Sequence, residues 1–208
     1  MTLANTSNWA DFDRSPISYI HPERSGEWFS DLPQHLVASL SGNQRLRPRL
    51  SEMIARHYHL PPVPAVASDI DHAIAALDAR VLETIIAAAG AVWYGHAFAK
   101  TIDKASLAAV LALVDEKTYR FAVEHAELAP PTGDAIVSPP TADALNEAGR
   151  GCFIAWIEAL PEWLGGRVAL KFPAAFIASG ALGDQQVYGP AIVRKCADFV
   201  DRERKPHG

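Results

Sequence analysis

With 208 residues, the chain is long enough for one domain with a core of its own and short for two. A composition 49% hydrophobic and 21% charged excludes a disordered chain, and a net charge of −5 disfavours a chain-wide binder of nucleic acid or anionic membrane. Cys152 and Cys196 stand apart with no paired framework, which fits a reducing compartment, and no basic segment followed by an apolar run opens the chain, so a cytosolic location is expected.

Residues 1–12 are polar and expected to be flexible. Pro16 and Pro22 each bias the residue before them away from the α region, so Phe12 to Pro22 reads as an extended, anchored strap. Tyr19 and Ile20 pack on the core in this reading, and His21-Pro22 turns the chain. Trp28, Leu32, Leu36 and Leu40 have helical spacing from Arg24 to Leu40, with Pro33 beginning the second half and Gly42-Asn43 ending it. The next helix runs from near Pro48 to Leu60. Its apolar stripe is Leu46, Leu50, Met53, Ile54 and Tyr58, and its opposite side carries Arg45, Arg47, Arg49 and Arg56. No aromatic residue interleaves with these arginines, so a solvated face or a contact with an acidic protein fits better than phosphate binding.

Pro61-Pro62-Val63-Pro64 is a rigid connector, followed by a short helix with Ile70, Ile74 and Leu77 inward. The central element is the helix from Asp78 to Ile102, whose face is Val81, Leu82, Ile85, Ile86, Ala89, Val92, Trp93 and Ala97. Its uncharged run of about 16 residues falls short of the ~20 a membrane span needs. Gly90 and Gly95 each cost roughly 1 kcal/mol in a helix interior, which predicts close approach by another helix or a break near Gly95. Asp103 caps a helix bearing Leu107, Val110, Leu111 and Val114, and Asp115 caps one bearing Tyr119, Phe121, Ala122, Val123 and Ala126.

Four prolines make 128–140 the longest irregular stretch. Thr141 then caps an amphipathic helix bearing Leu145, Ala148, Cys152, Phe153, Trp156, Ile157 and Leu160, with Gly149 and Gly151 hinting at tight packing. Leu160-Pro161 stops it, Trp163 to Gly166 reads as a turn, and Arg167 to Pro173 alternates with the period of a strand. Gly180 to Gly183 forms a turn, and Gly189-Pro190 opens a last helix with Ile192, Val193, Cys196, Phe199 and Val200 inward. The predicted fold is mainly α: a single compact multi-helix domain over 13–203, with at most a short strand or hairpin near 167–172 and a tail at 204–208.

Signatures of chemistry are missing. None of the eight histidines sits in His-Glu-x-x-His, and neither cysteine has a zinc-spaced neighbour. There is no Gly-x-Ser-x-Gly, no Ser-x-x-Lys and no Gly-rich phosphate loop. The reading is therefore no enzyme, no cofactor and no metal. The alternative from another class is a small helical enzyme or ligand-binding protein with a pocket at His96, Trp93 and Tyr94.

Four features in this order resemble a known family: the strap Pro16-Ile17-Ser18-Tyr19-Ile20-His21-Pro22, the central helix with Ala89-Gly90, the helix pair after it, and the helix ending in Trp163-Leu164 with Arg167-Val168-Ala169-Leu170-Lys171-Phe172-Pro173. The pattern, across roughly residues 12 to 175, resembles the SctK family of type III secretion (injectisome) proteins, which includes YscK and PscK. The resemblance implies a non-enzymatic cytosolic adaptor of the sorting platform, peripheral at the cytoplasmic face of the inner membrane. Its implied partners are the cytoplasmic domain of the SctD ring protein and the SctQ pod protein, and indirectly SctL and SctN, with neither nucleic acid nor membrane insertion. The expected contact surfaces are Arg45, Arg47 and Arg49 and the 128–140 loop, with the His21-Pro22 strap as support, and Tyr19 and Lys171 complete the expected partner-binding residues.

Overall fold

The structure is a computed structural model and describes residues 9, 12–28, 33, 40, 42–64, 69–131, 139–181 and 183–204, with Glu27 and Trp28 described in their backbone only. The second half of the helix expected to end at Leu40 lies mostly outside the described residues, as do 1–8 and 132–138 of the irregular loop. The described helices are α1 (Pro22–Trp28), α2 (Arg47–His57), α3 (Ile70–Ala75), α4 (Ala79–Trp93), α5 (Gly95–Ala99), α6 (Lys104–Leu113), α7 (Glu116–Glu124), α8 (Ala142–Ala159), α9 (Glu162–Ala169), α10 (Ala174–Ala178) and α11 (Asp184–Arg204). Short 3₁₀ turns lie at Pro16–Ser18 and Ala126–Leu128. The fold is mainly α, as expected.

Helix starts follow local chemistry. Asp69 accepts from the His72 N–H, Asp103 from the Ser106 N–H, and Asp115 from those of Lys117 and Thr118, each satisfying donors that the first turn leaves free. The Thr141 hydroxyl accepts from the Ala144 N–H at 3.2 Å in the same way. Helix α2 ends in a Schellman motif. His59 takes φ +50°, its N–H reaches Arg56 O at 3.2 Å, and the Leu60 N–H reaches Ala55 O at 2.8 Å.

The chain packs as two compact units, each built from two stretches: 1–80 with 157–179, and 81–156 with 180–208. In the first, Ile17, Leu50, Ile54 and Leu170 form a buried cluster against which Tyr19, Ile20, Leu40, Tyr58 and Leu60 pack. The strap is turned where an extended run was expected. Pro16 has the φ a 3₁₀ turn needs, the Ser18 hydroxyl donates to Ser15 O at 2.6 Å, and Pro22 occupies the first position of α1.

The larger correction concerns 163–172, where no strand forms. Trp163 to Ala169 belong to α9, and Leu170 to Phe172 form a turn after it. The alternation that reads as a strand also places Leu164 with Val168, and Arg167 with Lys171, four residues apart on one helical side. The Gly165-Gly166 pair that reads as a turn meets a packing need. A Cβ on Gly165 would stand 2.9 Å from Ile157 O, and one on Gly166 3.1 Å from Leu60 Cδ2.

In the second unit, α4 buries Leu82, Ile85, Ala88, Ala89, Gly90, Ala91 and Val92. Both expectations for its glycines hold. Gly90 lies against α8, where a Cβ would fall 2.2 Å from Leu145 O, and the helix breaks at Tyr94 before α5. Gly149 completes the crossing: a Cβ there would fall 2.1 Å from Ile86 O and 3.0 Å from Gly90 N. Helix α11 starts at Asp184, so Pro190 lies inside it instead of opening it. Its neighbour Gly189 lies against Cys152, and Phe199 stacks on Phe121 at 4.2 Å.

Candidate partner-docking surface

Helix α2 presents two unlike faces. Leu50, Ser51 and Ile54 are buried, and Arg45, Arg49 and Arg56 are exposed. The stripe inferred from apolar spacing is corrected at two positions, because Leu46 and Met53 lie on the outer side, 36% and 41% exposed. At helical spacing, Leu46, Arg49, Met53 and Arg56 follow one another along one outward line. Arg56 pairs with Glu52 at 2.5 Å, an exposed i,i+4 bridge worth a few tenths of a kcal/mol. Arg47 turns partly inward, and its Nε is buried without a hydrogen-bond partner among the described residues.

Tyr19, His21 and Lys171 come together elsewhere. The His21 N–H donates to Leu170 O at 2.7 Å, and Arg24 Nε to Phe172 O at 2.6 Å, so the strap is bonded to the turn after α9. Lys171 is only 4% exposed. Its Nζ donates to Ala75 O at 2.7 Å and to Leu77 O, and lies over the rings of Phe12 and Tyr19, 4.6 and 5.3 Å from their centroids. Burial lowers the Lys171 pKa to about 7, against the opposing pull of the Asp78 carboxylate. Burial likewise raises Tyr19, opposed by Arg167 and reinforced by Asp13, and its hydroxyl has no hydrogen-bond partner among the described residues. Arg167 bonds the backbone oxygens of Pro61 and Trp163 at 2.9 and 2.7 Å, and Asp13 Oδ1 lies 2.9 Å from His72 Nε2. Tyr19 and Lys171 thus brace the first unit from inside, while Arg49 and Arg56 of α2 face outward.

Two clefts open in the first unit. One, of about 360 Å³, is lined by Tyr19, Asp78 and Lys171 among others. The other, of about 400 Å³, has an apolar floor with Leu60, Leu160 and Gly166 and carries Glu158 and Glu162. Trp93, Tyr94 and His96 line neither. Beside His96, Gly95 is packed so closely that a Cβ would fall 2.3 Å from Ala122 O.

One surface was missed by the sequence reading. Helix α6 buries only Val110; Leu111 and Leu113 are exposed, and Ile102 just before it is 96% exposed. The signal is that no charge separates Lys104 from Asp115, so no charged residue marks a solvent side.

The sequence profile of YOP proteins translocation protein K (YscK) matches residues 7–188. The chain belongs to the YscK family. Among curated proteins, none matches it. The fold is similar to that of the cytoplasmic domain of the T3SS sorting platform protein PscK from P. aeruginosa, with a TM-score of 0.53 and 17% identity, over 94% of this chain and 96% of that one. At that identity the likeness speaks for the fold alone. Among the described residues, no helix of this YscK-family chain is long and apolar enough to cross a membrane.

Proposed function

We propose that the protein is a non-enzymatic cytosolic adaptor of the type III secretion sorting platform. In this reading it links the cytoplasmic domain of an SctD-like inner-membrane ring protein to an SctQ-like pod protein, and through the pod, indirectly, to SctL and SctN. It works at the cytoplasmic face of the inner membrane, held there by the secretion apparatus. The observation that carries the reading is membership of the YscK family over residues 7–188. The PscK-like fold along nearly the whole chain supports it.

The contacts proposed for this role are Arg45, Arg47 and Arg49 and, each as a separate contact, His21 and the 128–140 loop. Tyr19 and Lys171 act from within, by holding the strap that carries His21. Charged groups at such a surface set partner choice and association rate more than affinity.

Co-expression with the cognate pod protein and, separately, with the ring protein's cytoplasmic domain tests the role, with light scattering of the purified fractions. The expected result is a stable complex of defined mass with at least one of them. Folded proteins that elute separately in both pairings would overturn the adaptor reading.

A further inference from the structure

We propose that the outward stripe Leu46–Arg49–Met53–Arg56 of helix α2, with Arg45 at its N-terminal end, docks an acidic amphipathic helix of a partner protein. The inference rests on the adaptor reading and specifies the chemistry of one of its contacts.

The stripe alternates apolar and basic side chains at i, i+3, i+7 and i+10, all on the solvent side of a helix held from behind by Leu50 and Ile54. Between residues 45 and 56 stand four arginines and one glutamate, in a chain whose net charge is −5. The local charge is therefore opposite to that of the molecule, and it selects an acidic partner. Leu46 and Met53 are among the exposed large apolar side chains of the chain, and both fall between the arginines. A partner that neutralised only the charges would leave them in water. One with apolar residues spaced by a helical turn and carboxylates beside them covers both kinds of group, in the helix-on-surface manner common in peptide recognition. Methionine suits such a contact, since its unbranched thioether adapts to the shape it meets.

The same features argue against other occupants. A second copy would bring arginine stripe against arginine stripe and repel. A nucleic acid would meet the arginines but leave Leu46 and Met53 uncovered, and the stripe has no aromatic ring for a base to stack on. Two apolar side chains are too few to hold a helix in a lipid interface, where burial must extend along a whole face.

The test uses the full chain with the two partners named above and three variants: R45E/R49E, L46S/M53S and, as an outward-facing control, E83Q. Affinity is measured at low and raised salt, and folding is checked by circular dichroism. For one partner, R45E/R49E should lower affinity about tenfold or more at low salt, with a smaller loss as salt screens the contact. L46S/M53S should weaken the same complex at both salt concentrations, and E83Q should leave it unchanged. Exchanging the partner's acidic residues for arginine should restore binding to R45E/R49E. Complexes that form with wild-type affinity in both double variants would overturn the stripe and leave the adaptor role intact. No complex with either partner, even for the wild-type chain, would overturn the adaptor role and the stripe with it. Binding to a short DNA duplex or to anionic vesicles that R45E/R49E abolishes, with partner binding untouched, would assign the arginines to a different ligand and overturn the proposal.

Discussion

Lys171 shows how far a side chain's role depends on residues remote from it in the chain. Within 167–172 it looks like the outward member of an alternating run, and a lysine is seldom fully buried without partners. In the fold it reaches the backbone oxygens of Ala75 and Leu77 and the rings of Phe12 and Tyr19. None of those contacts has a local signature, so the burial of Lys171 was not legible, although the anchoring of Tyr19 and Ile20 was. The pH dependence follows from the sign of the shift. The folded pKa, about 7, lies below the ordinary 10.5. Burial of the charged amine therefore costs stability below about pH 7, and that cost is relieved as pH rises and the folded state sheds its proton before the unfolded chain does. Denaturant unfolding of wild type and K171M across this range should show the wild type gaining on the variant by on the order of 1 kcal/mol per pH unit from about pH 7 to 9. Parallel curves would mean that the amine stays charged in its site.

At the scale of helices, the capping residues and the apolar face of α4 were readable because they depend on spacing within a few turns. The glycines were readable in kind: two of them signalled close neighbours, which are Leu145 and Gly149 of α8 for Gly90 and Ala122 of α7 for Gly95. What spacing did not deliver was the helical state of 167–169, which alternates with the period of a strand, since a short run satisfies both periods. The glycine crossing makes a sharp prediction. A methyl group on Gly149 would lie 2.1 Å from Ile86 O, and no rotamer relieves a clash with backbone. G149A should thus lose about 2 kcal/mol or more despite its better helix propensity, lowering Tm by roughly 4–8 °C. Gly26, inside α1 with nothing within 4 Å of its added Cβ, is the contrasting case. G26A should gain about 0.5–1 kcal/mol. Thermal unfolding of the two variants side by side checks both, and equal effects would rule out the close crossing.

Over the whole molecule, the family and the helical class were legible from the order of motifs. The pairing of residues 1–80 with 157–179 was not, because it is set by contacts such as His21 to Leu170 and Arg24 to Phe172 that no local pattern announces. This division predicts that a fragment of residues 1–80 has little stable structure alone, since it lacks Leu170 of its apolar cluster and the side chains of Arg167 and Lys171. Adding a peptide of residues 157–179 should raise its helical circular dichroism beyond the sum of the two parts. A fragment that is already folded and unchanged by the peptide would contradict the division.

That discontinuity has a consequence for the protein's birth. At synthesis rates of roughly 5–20 residues per second, the first unit waits several seconds for its second stretch while residues 81–156 emerge. The second unit in turn needs the stretch after residue 179. During translation, then, the nascent chain carries Ile17, Leu50 and Ile54 without the Leu170 that covers them, and a holdase that shields apolar side chains has most to offer in that interval.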